Sequence, residues 1–285
     1  FFLSGVDLSN IVKAVRPPAS ENGQKQKHEI LLTLDALGKA VADSDLAEVA
    51  EQLVVFTAQC KEQLAFRCLA GQNGAYPVVF SACQMASGDR NLMLKAFYTL
   101  SALLDGQPDL LDSAGQDLLL QTLQEYKEDA DMALAGIRCV RHACLKHEQN
   151  RQDFVKGGIL PLLTGAILLG MLWLAVRRLQ NSLCSFLTHL CGWKQDVVKQ
   201  VLSAIRAVAG NDDVKDAIVS AGATDLIVLA ISHHLANPQI CEQGCAALCM
   251  LALRKPENCS IIMEGGGALA ALQAMKAHPR EVAVQ

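Results

Sequence analysis

The stretch 150–167, NRQDFVKGGILPLLTGAI, decides the fold of this 285-residue chain. It reads as a short polar helix, a Gly-Gly turn and a second, apolar helix. Asn150 is placed to cap the first helix through its side-chain oxygen, and Phe154 and Val155 supply that helix's apolar side. Gly157 and Gly158 let the backbone leave the helix in a left-handed conformation that side chains resist. Pro161 falls in the opening turn of the next helix, where its missing N–H costs little. Ile159, Leu160, Leu162 and Leu163 make that helix too apolar to stand in water, so other helices must cover it.

The same signal recurs along the chain. Taking the last turn glycine of each unit as a marker gives Gly74, Gly115, Gly158, Gly222 and Gly266, at intervals of 41, 43, 64 and 44 residues. Three of these intervals fall within the period of roughly 40–47 residues that helical solenoid repeats show. Between markers lies a longer amphipathic helix, at 91–104, 130–146, 197–209 and 238–253. A short, a second and a longer third helix in that order resembles the armadillo repeat rather than a two-helix repeat.

The runs GVDLSNIVK (5–13), DGQPDLLD (105–112), GIRCVRHACLKHEQNRQD (136–153), AGNDDVKDAIV (209–219) and ALRKPEN (252–258) are similar to one vertebrate family of armadillo repeat-containing proteins. The resemblance covers most of residues 60–280 and implies an all-α fold, a right-handed superhelical α-solenoid of three-helix repeats with no assigned catalytic activity. It breaks down at 168–193, where internal repeats of the family look to be missing.

Composition fits that expectation. Hydrophobic residues make up 51% of the chain, and a solenoid spreads such a core along its length as contacts between neighbours. A net charge of −4 argues against a nucleic-acid partner, which calls for a cationic excess. Aromatic residues at 5% leave few platforms for stacking bases. Eleven cysteines, scattered through helices, read as reduced and mostly buried, as in an intracellular protein. The expected location is cytoplasmic, with the nucleus also open. The chain begins with Phe1 rather than Met and stops at Gln285 inside a repeat, which reads as a fragment whose ends carry no targeting information.

In order, residues 1–27 read as a flexible segment and linker around RPPASENGQKQ, and 28–60 as a degenerate first repeat or cap, with Asp45 capping its second helix. Armadillo repeats are expected over 61–167, an atypical apolar insert or junction over 168–193, and further repeats, cut short, over 194–285. Residues 159–176 carry no charge and precede Arg177 and Arg178, which meets the length criterion for a membrane helix. Pro161, Gly165 and Gly170 weaken one continuous span, and the first half has counterparts in the other repeats, so a membrane association is disfavoured.

The resemblance implies a groove lined by successive third helices. In the nuclear-import and adhesion branches of the superfamily, a ladder of Trp and Asn there holds an extended peptide. Here the Trp positions carry Tyr98, Arg138, Ser203 and Ala246, and the Asn positions carry Ala102, His142, Ala207 and Met250. No amide remains at those positions to supply both donor and acceptor, which disfavours a nuclear-transport adaptor. What the groove offers instead is basic. Arg138, Arg141 and His142 share one third helix, with Lys95, Tyr98 and Arg206 on others, which suits an acidic or phosphorylated peptide; the alternative is a solvated helix face.

Other constellations carry less. Cys139, His142, Cys144 and His147 have zinc-like spacing, but on one helix they spread over more than one face. Cys241, Cys245 and Cys249 form a stripe at helical spacing, a core pattern. Gly265, Gly266 and Gly267 precede a helix without the Lys-Ser or Lys-Thr of a phosphate loop. No catalytic motif is present, and neither a cofactor, a metal nor a small-molecule substrate is expected. The expected function is a non-catalytic scaffold that binds a protein or peptide.

Overall fold

The computed structural model describes residues 27–179 and 186–285, side chains excepted between 172 and 194. The expected N-terminal segment and linker 1–27, apart from Lys27, and the middle of the expected insert, 180–185, lie outside the described residues. Every element among the described residues is helical: fifteen α-helices and one 3-10 turn. They fall into two compact units divided between Asp112 and Ser113.

The first unit contains α1 (Glu29–Ala42), α2 (Leu46–Glu62), α3 (Leu64–Gln72), α4 (Ala75–Met85), α5 (Arg90–Leu104) and the 3-10 turn Pro108–Leu110. Helices α1 and α2 are the capping repeat, and Asp45 caps α2 as expected, accepting from the amides of Ala47 and Glu48. Helices α3, α4 and α5 form one full repeat. Third helix α2 packs on third helix α5; Leu53, Phe56, Phe97 and Leu100 are buried on the two helices, and the hydroxyls of Thr57 and Thr99 meet at 2.7 Å.

The second unit contains α6 (Ser113–Glu125), α7 (Ala130–Cys144), α8 (Glu148–Lys156), α9 (Ile159–Leu179), α10 (Phe186–Val208), α11 (Asp212–Ser220), α12 (Ala223–His233), α13 (Pro238–Ala252), α14 (Pro256–Glu264) and α15 (Gly267–Ala277). Third helix α10 packs between α7 and α13. The long 64-residue interval is thereby filled by a single repeat, α8–α9–α10, whose second and third helices reach 21 and 23 residues, against 11 and 15 in α12 and α13. The stretch expected as an insert belongs to the end of α9 and the start of α10, apart from residues 180–185. Up to Met171, α9 is too short to cross a membrane by itself, and Glu148–Lys156 and Ile159–Met171 meet the length and apolarity of a span only as a pair bent by 78°.

Four of the five marker glycines stand in left-handed turns before second helices: Gly74 (φ 81°), Gly158 (φ 89°), Gly222 (φ 75°) and Gly266 (φ 83°). Gly115 does not. It lies inside the first turn of α6, because the first helix of that repeat shrinks to the 3-10 turn and the chain enters α6 from extended Leu111 (ψ 119°), needing no reversal. Gly157 is right-handed (φ −73°), and its glycine identity has another cause: a Cβ there would sit 2.5 Å from Leu120 Cδ1. Asn150 is not the cap of α8 either. His147 takes that place, its Nδ1 accepting from the Asn150 amide at 3.1 Å.

Asn150 joins instead a device that ties the first helices α3, α8 and α14 to the third helix before each. Its Nδ2 donates to the Ala143 carbonyl at 2.8 Å, seven residues back, and Asn258 does the same to Leu251 at 3.2 Å. One position on, Arg67 donates to Cys60 (3.1 Å), Arg151 to Cys144 (2.8 Å) and Cys259 to Ala252 (3.3 Å), each again seven residues back. The last carbonyls of a helix have no partner within it, and a cation there also meets the negative end of the helix dipole.

Candidate functional site

The sequence-based candidates divide between the units. Lys95 and Tyr98 are half-buried on α5 of the first, where Lys61 Nζ lies 5.9 Å from the centroid of the Tyr98 ring. Arg138, Arg141, His142 and Arg206 belong to the second, on α7 and α10.

Helix α7 begins at Asp129, whose carboxylate accepts from the amides of Asp131 (3.0 Å) and Met132 (3.2 Å). Met132, Ala135, Gly136, Cys139, Val140 and Ala143 are buried along it, leaving Arg138 and Arg141 half-exposed on the opposite side. Gly136 sets how close α6 comes, since a Cβ there would stand 2.7 Å from Leu123 Cδ2. Gly244 has the same role on α13, where Ile231 Cγ1 would be 2.5 Å away. Third helices held this tightly make a firm base for what they display.

In equivalent positions the third helices carry Arg138, Ser203 and Ala246, then Arg141, Arg206 and Cys249, then His142, Ala207 and Met250; of these His142 and Ala207 are buried, so the expected groove residue His142 is not presented at the surface. None is acidic. Arg141 Nη1 and His142 Nε2 lie 3.2 Å apart. Arg206 is exposed, and neither it nor Arg138 makes a hydrogen bond or ion pair among the described residues. Guanidinium forks so placed can grip a carboxylate or a phosphate.

A pair of residues on this face escaped the sequence reading. Gln200 on α10 and Gln243 on α13 are half-buried, and the Oε1 of each is enclosed without a hydrogen-bond partner among the described residues. Their 43-residue spacing is the one signal that could have marked them.

The other constellations resolve into structure. Cys139 and Cys144 are buried, and burial pushes the Cys144 thiol up to about 12. His147 caps α8, and no group of three or more residues able to hold a metal exists among the described residues. Cys241 is in the core and Cys249 exposed, so the cysteine stripe runs from the interior to the surface; Cys245 between them is raised to about 11 by desolvation and by its two neighbours. At the turn before α15, Gly266 is left-handed (φ 83°), and a Cβ on Gly265 would stand 3.1 Å from Asp225 Oδ1.

No family profile matches the chain. Solved structures similar to it include a designed armadillo repeat protein (TM-score 0.70, 14% identity, 88% of this chain and 95% of that one). Another is a designed armadillo repeat protein in complex with the peptide (KR)4 (TM-score 0.68, 13% identity, 90% and 95%). These establish the fold. Among curated proteins, armadillo repeat-containing protein 6 of Homo sapiens is 44% identical over 347 residues, covering 92% of this chain and 69% of that protein. Its homolog in Drosophila melanogaster is 24% identical, covering 93% and 73%. The human match is longer than this whole chain, so the relative carries residues that this chain lacks, amounting to more than one repeat of roughly 40–47 residues. At this identity and coverage the chain belongs to the armadillo repeat-containing protein 6 family.

Proposed function

We propose that this chain is a non-catalytic protein-interaction scaffold, and that the third-helix face of its second unit takes an acidic or phosphorylated peptide segment. The observation that carries this reading is the run of Arg138, Arg141 and Arg206 over neighbouring helices α7 and α10, with no acid among the equivalent positions. A guanidinium offers a planar, bidentate grip on a carboxylate or phosphate that a lysine ammonium does not. The designed relative named with (KR)4 holds a peptide of the opposite charge. The absence of an amide at Ala207 and Met250 supports a ligand other than a nuclear-localisation peptide.

A scaffold rather than an enzyme is supported by the state of the thiols. Burial raises Cys60, Cys83 and Cys144 to about 12, far from the range in which a thiolate acts as nucleophile. Location follows from the same reading as an expectation, cytoplasmic with the nucleus open.

The test is fluorescence anisotropy with a fluorescein-labelled (Glu-Ala)4 peptide. Binding that falls about tenfold or more in Arg138→Ala/Arg141→Ala and weakens with salt supports the reading. Equal binding by parent and variant overturns it.

A further inference from the structure

We propose that residues 8–15 of this chain dock on the exposed face of α2 and so close the N-terminal end of the first unit. The inference concerns the end of the helix stack and is independent of the arginine face of the second unit.

Among the described residues α2 packs against α1, α3 and α5. Its ridge of Leu46, Ala50, Val54 and Ala58, spaced four apart along one side of the helix, is left largely uncovered. Leu46 is 48% exposed and Val54 54%, with Val55 beside them at 42%. On α5 the residues 43 positions after Ala50, Val54 and Ala58 are Met93, Phe97 and Ser101. All three are buried, in a helix that has third helix α2 before it. The ridge on α2 is therefore the seat of a preceding third helix, and an apolar solenoid end calls for a cover.

The described chain begins at the right place for residues 8–15 to supply it. Helices α1 and α2 pack together across the short turn 43–45, so they run antiparallel and the start of α1 lies beside the end of α2. His28 caps α1, accepting from the Ile30 amide at 3.3 Å, and its ring centroid lies 4.6 Å from that of Phe66 in the first turn of α3. Only Gln63 separates α3 from the end of α2. From there the residues 16–26, RPPASENGQKQ, can reach roughly 35 Å when extended. The 17 residues of α2 measure about 25 Å, so every point of its ridge is within that reach.

The segment matches the face in chemistry. Leu8, Ile11, Val12 and Val15 recur at the spacing of one helical face, and Asp7 before them is a capping residue type. Eight residues are too few to hold a helix alone in water, so this stripe gains its structure against an apolar partner. Glu51 is exposed three and four residues before Val54 and Val55, and Lys13 and Arg16 bring the opposite charge. Tethering presents the segment at an effective concentration on the order of millimolar, ahead of a second copy of the chain.

The test is hydrogen–deuterium exchange of the whole chain, read by mass spectrometry, with light scattering for oligomeric state. In the parent the amides of 8–15 are expected to exchange at least about tenfold more slowly than in a synthetic peptide of residues 1–26. Val54→Asp/Val55→Asp, changed at exposed positions, should bring them to the peptide rate while α5 keeps its protection. Exchange of 8–15 at the peptide rate in the parent overturns the inference, whatever the variant does. Protection of 8–15 that survives in Val54→Asp/Val55→Asp also overturns it, since the segment then docks elsewhere. So does a parent dimer that Val54→Asp/Val55→Asp disperses and Ile11→Asp/Val12→Asp leaves intact, because a second copy then covers the face.

Discussion

The ammonium of Lys215 donates to the carbonyl of Leu253 at 2.7 Å, joining α11 to the end of α13 from a fully buried position. In the other unit, Arg67 donates to the Asp105 carbonyl at 2.6 Å over the same separation of 38 residues. A first helix thus clamps the end of the third helix that follows it, as well as the one before. Asp212 Oδ1 balances the Lys215 charge at 2.6 Å.

Lys215→Ala removes the clamp, leaves the Leu253 carbonyl without its partner and opens a cavity. Chemical denaturation of this variant is expected to show a loss of about 2–4 kcal/mol. Lys215→Met keeps the volume and should lose less.

The neighbouring acids make that junction sensitive to pH. The hydrogen bond from Lys215, followed by its charge and that of Arg254, holds Asp212 below the ordinary carboxylate value of 3.8. Lys255 does the same for Asp216. A depressed carboxylate stabilises the fold fully above its unfolded pKa, and that contribution is lost as pH falls through the lower folded value. The melting temperature of the parent should therefore drop below about pH 4, whereas Asp212→Asn/Asp216→Asn starts lower and falls less over the same window.

Two glycines with open space around a Cβ separate backbone strain from crowding. Gly158 has φ +89°, so Gly158→Ala should cost about 1–2 kcal/mol in urea unfolding. Gly165 is helical on α9 and borders a cleft of about 470 Å³ between α6, α7 and α9. Gly165→Ala should stabilise by about 0.5–1 kcal/mol.

Thiol labelling reads burial directly. Iodoacetamide applied to the native chain, followed by mass spectrometry, is expected to modify exposed Cys249 well before Cys60, Cys83 and Cys144. Burial both encloses those three and raises each to about 12, so they should react only when the fold opens.

The repeat was legible where one residue type had no substitute. A left-handed turn all but demands glycine, so Gly74, Gly158, Gly222 and Gly266 marked their turns. Gly115 misled because a glycine inside a helix looks the same in sequence, and the collapse of a first helix to a 3-10 turn leaves no periodicity to detect. Asn150 was legible as a capping residue type but not as to which helix it serves, since its partner Ala143 lies in the preceding helix. The extension of α9 and α10 was hidden because a broken period cannot tell an inserted segment from two lengthened helices. The arginines stood out by charge. Gln200 and Gln243 did not, because an unpartnered oxygen is a property of packing.

The central claim is that charge on the α7–α10 face selects the ligand, and charge reversal tests it most directly. Arg141→Glu/Arg206→Glu, titrated with labelled (Glu-Ala)4 and (Lys-Ala)4, should lose the acidic peptide and gain the basic one, inverting the preference of the parent. A variant that keeps the parent's preference, or a parent that prefers the basic peptide, would contradict the account.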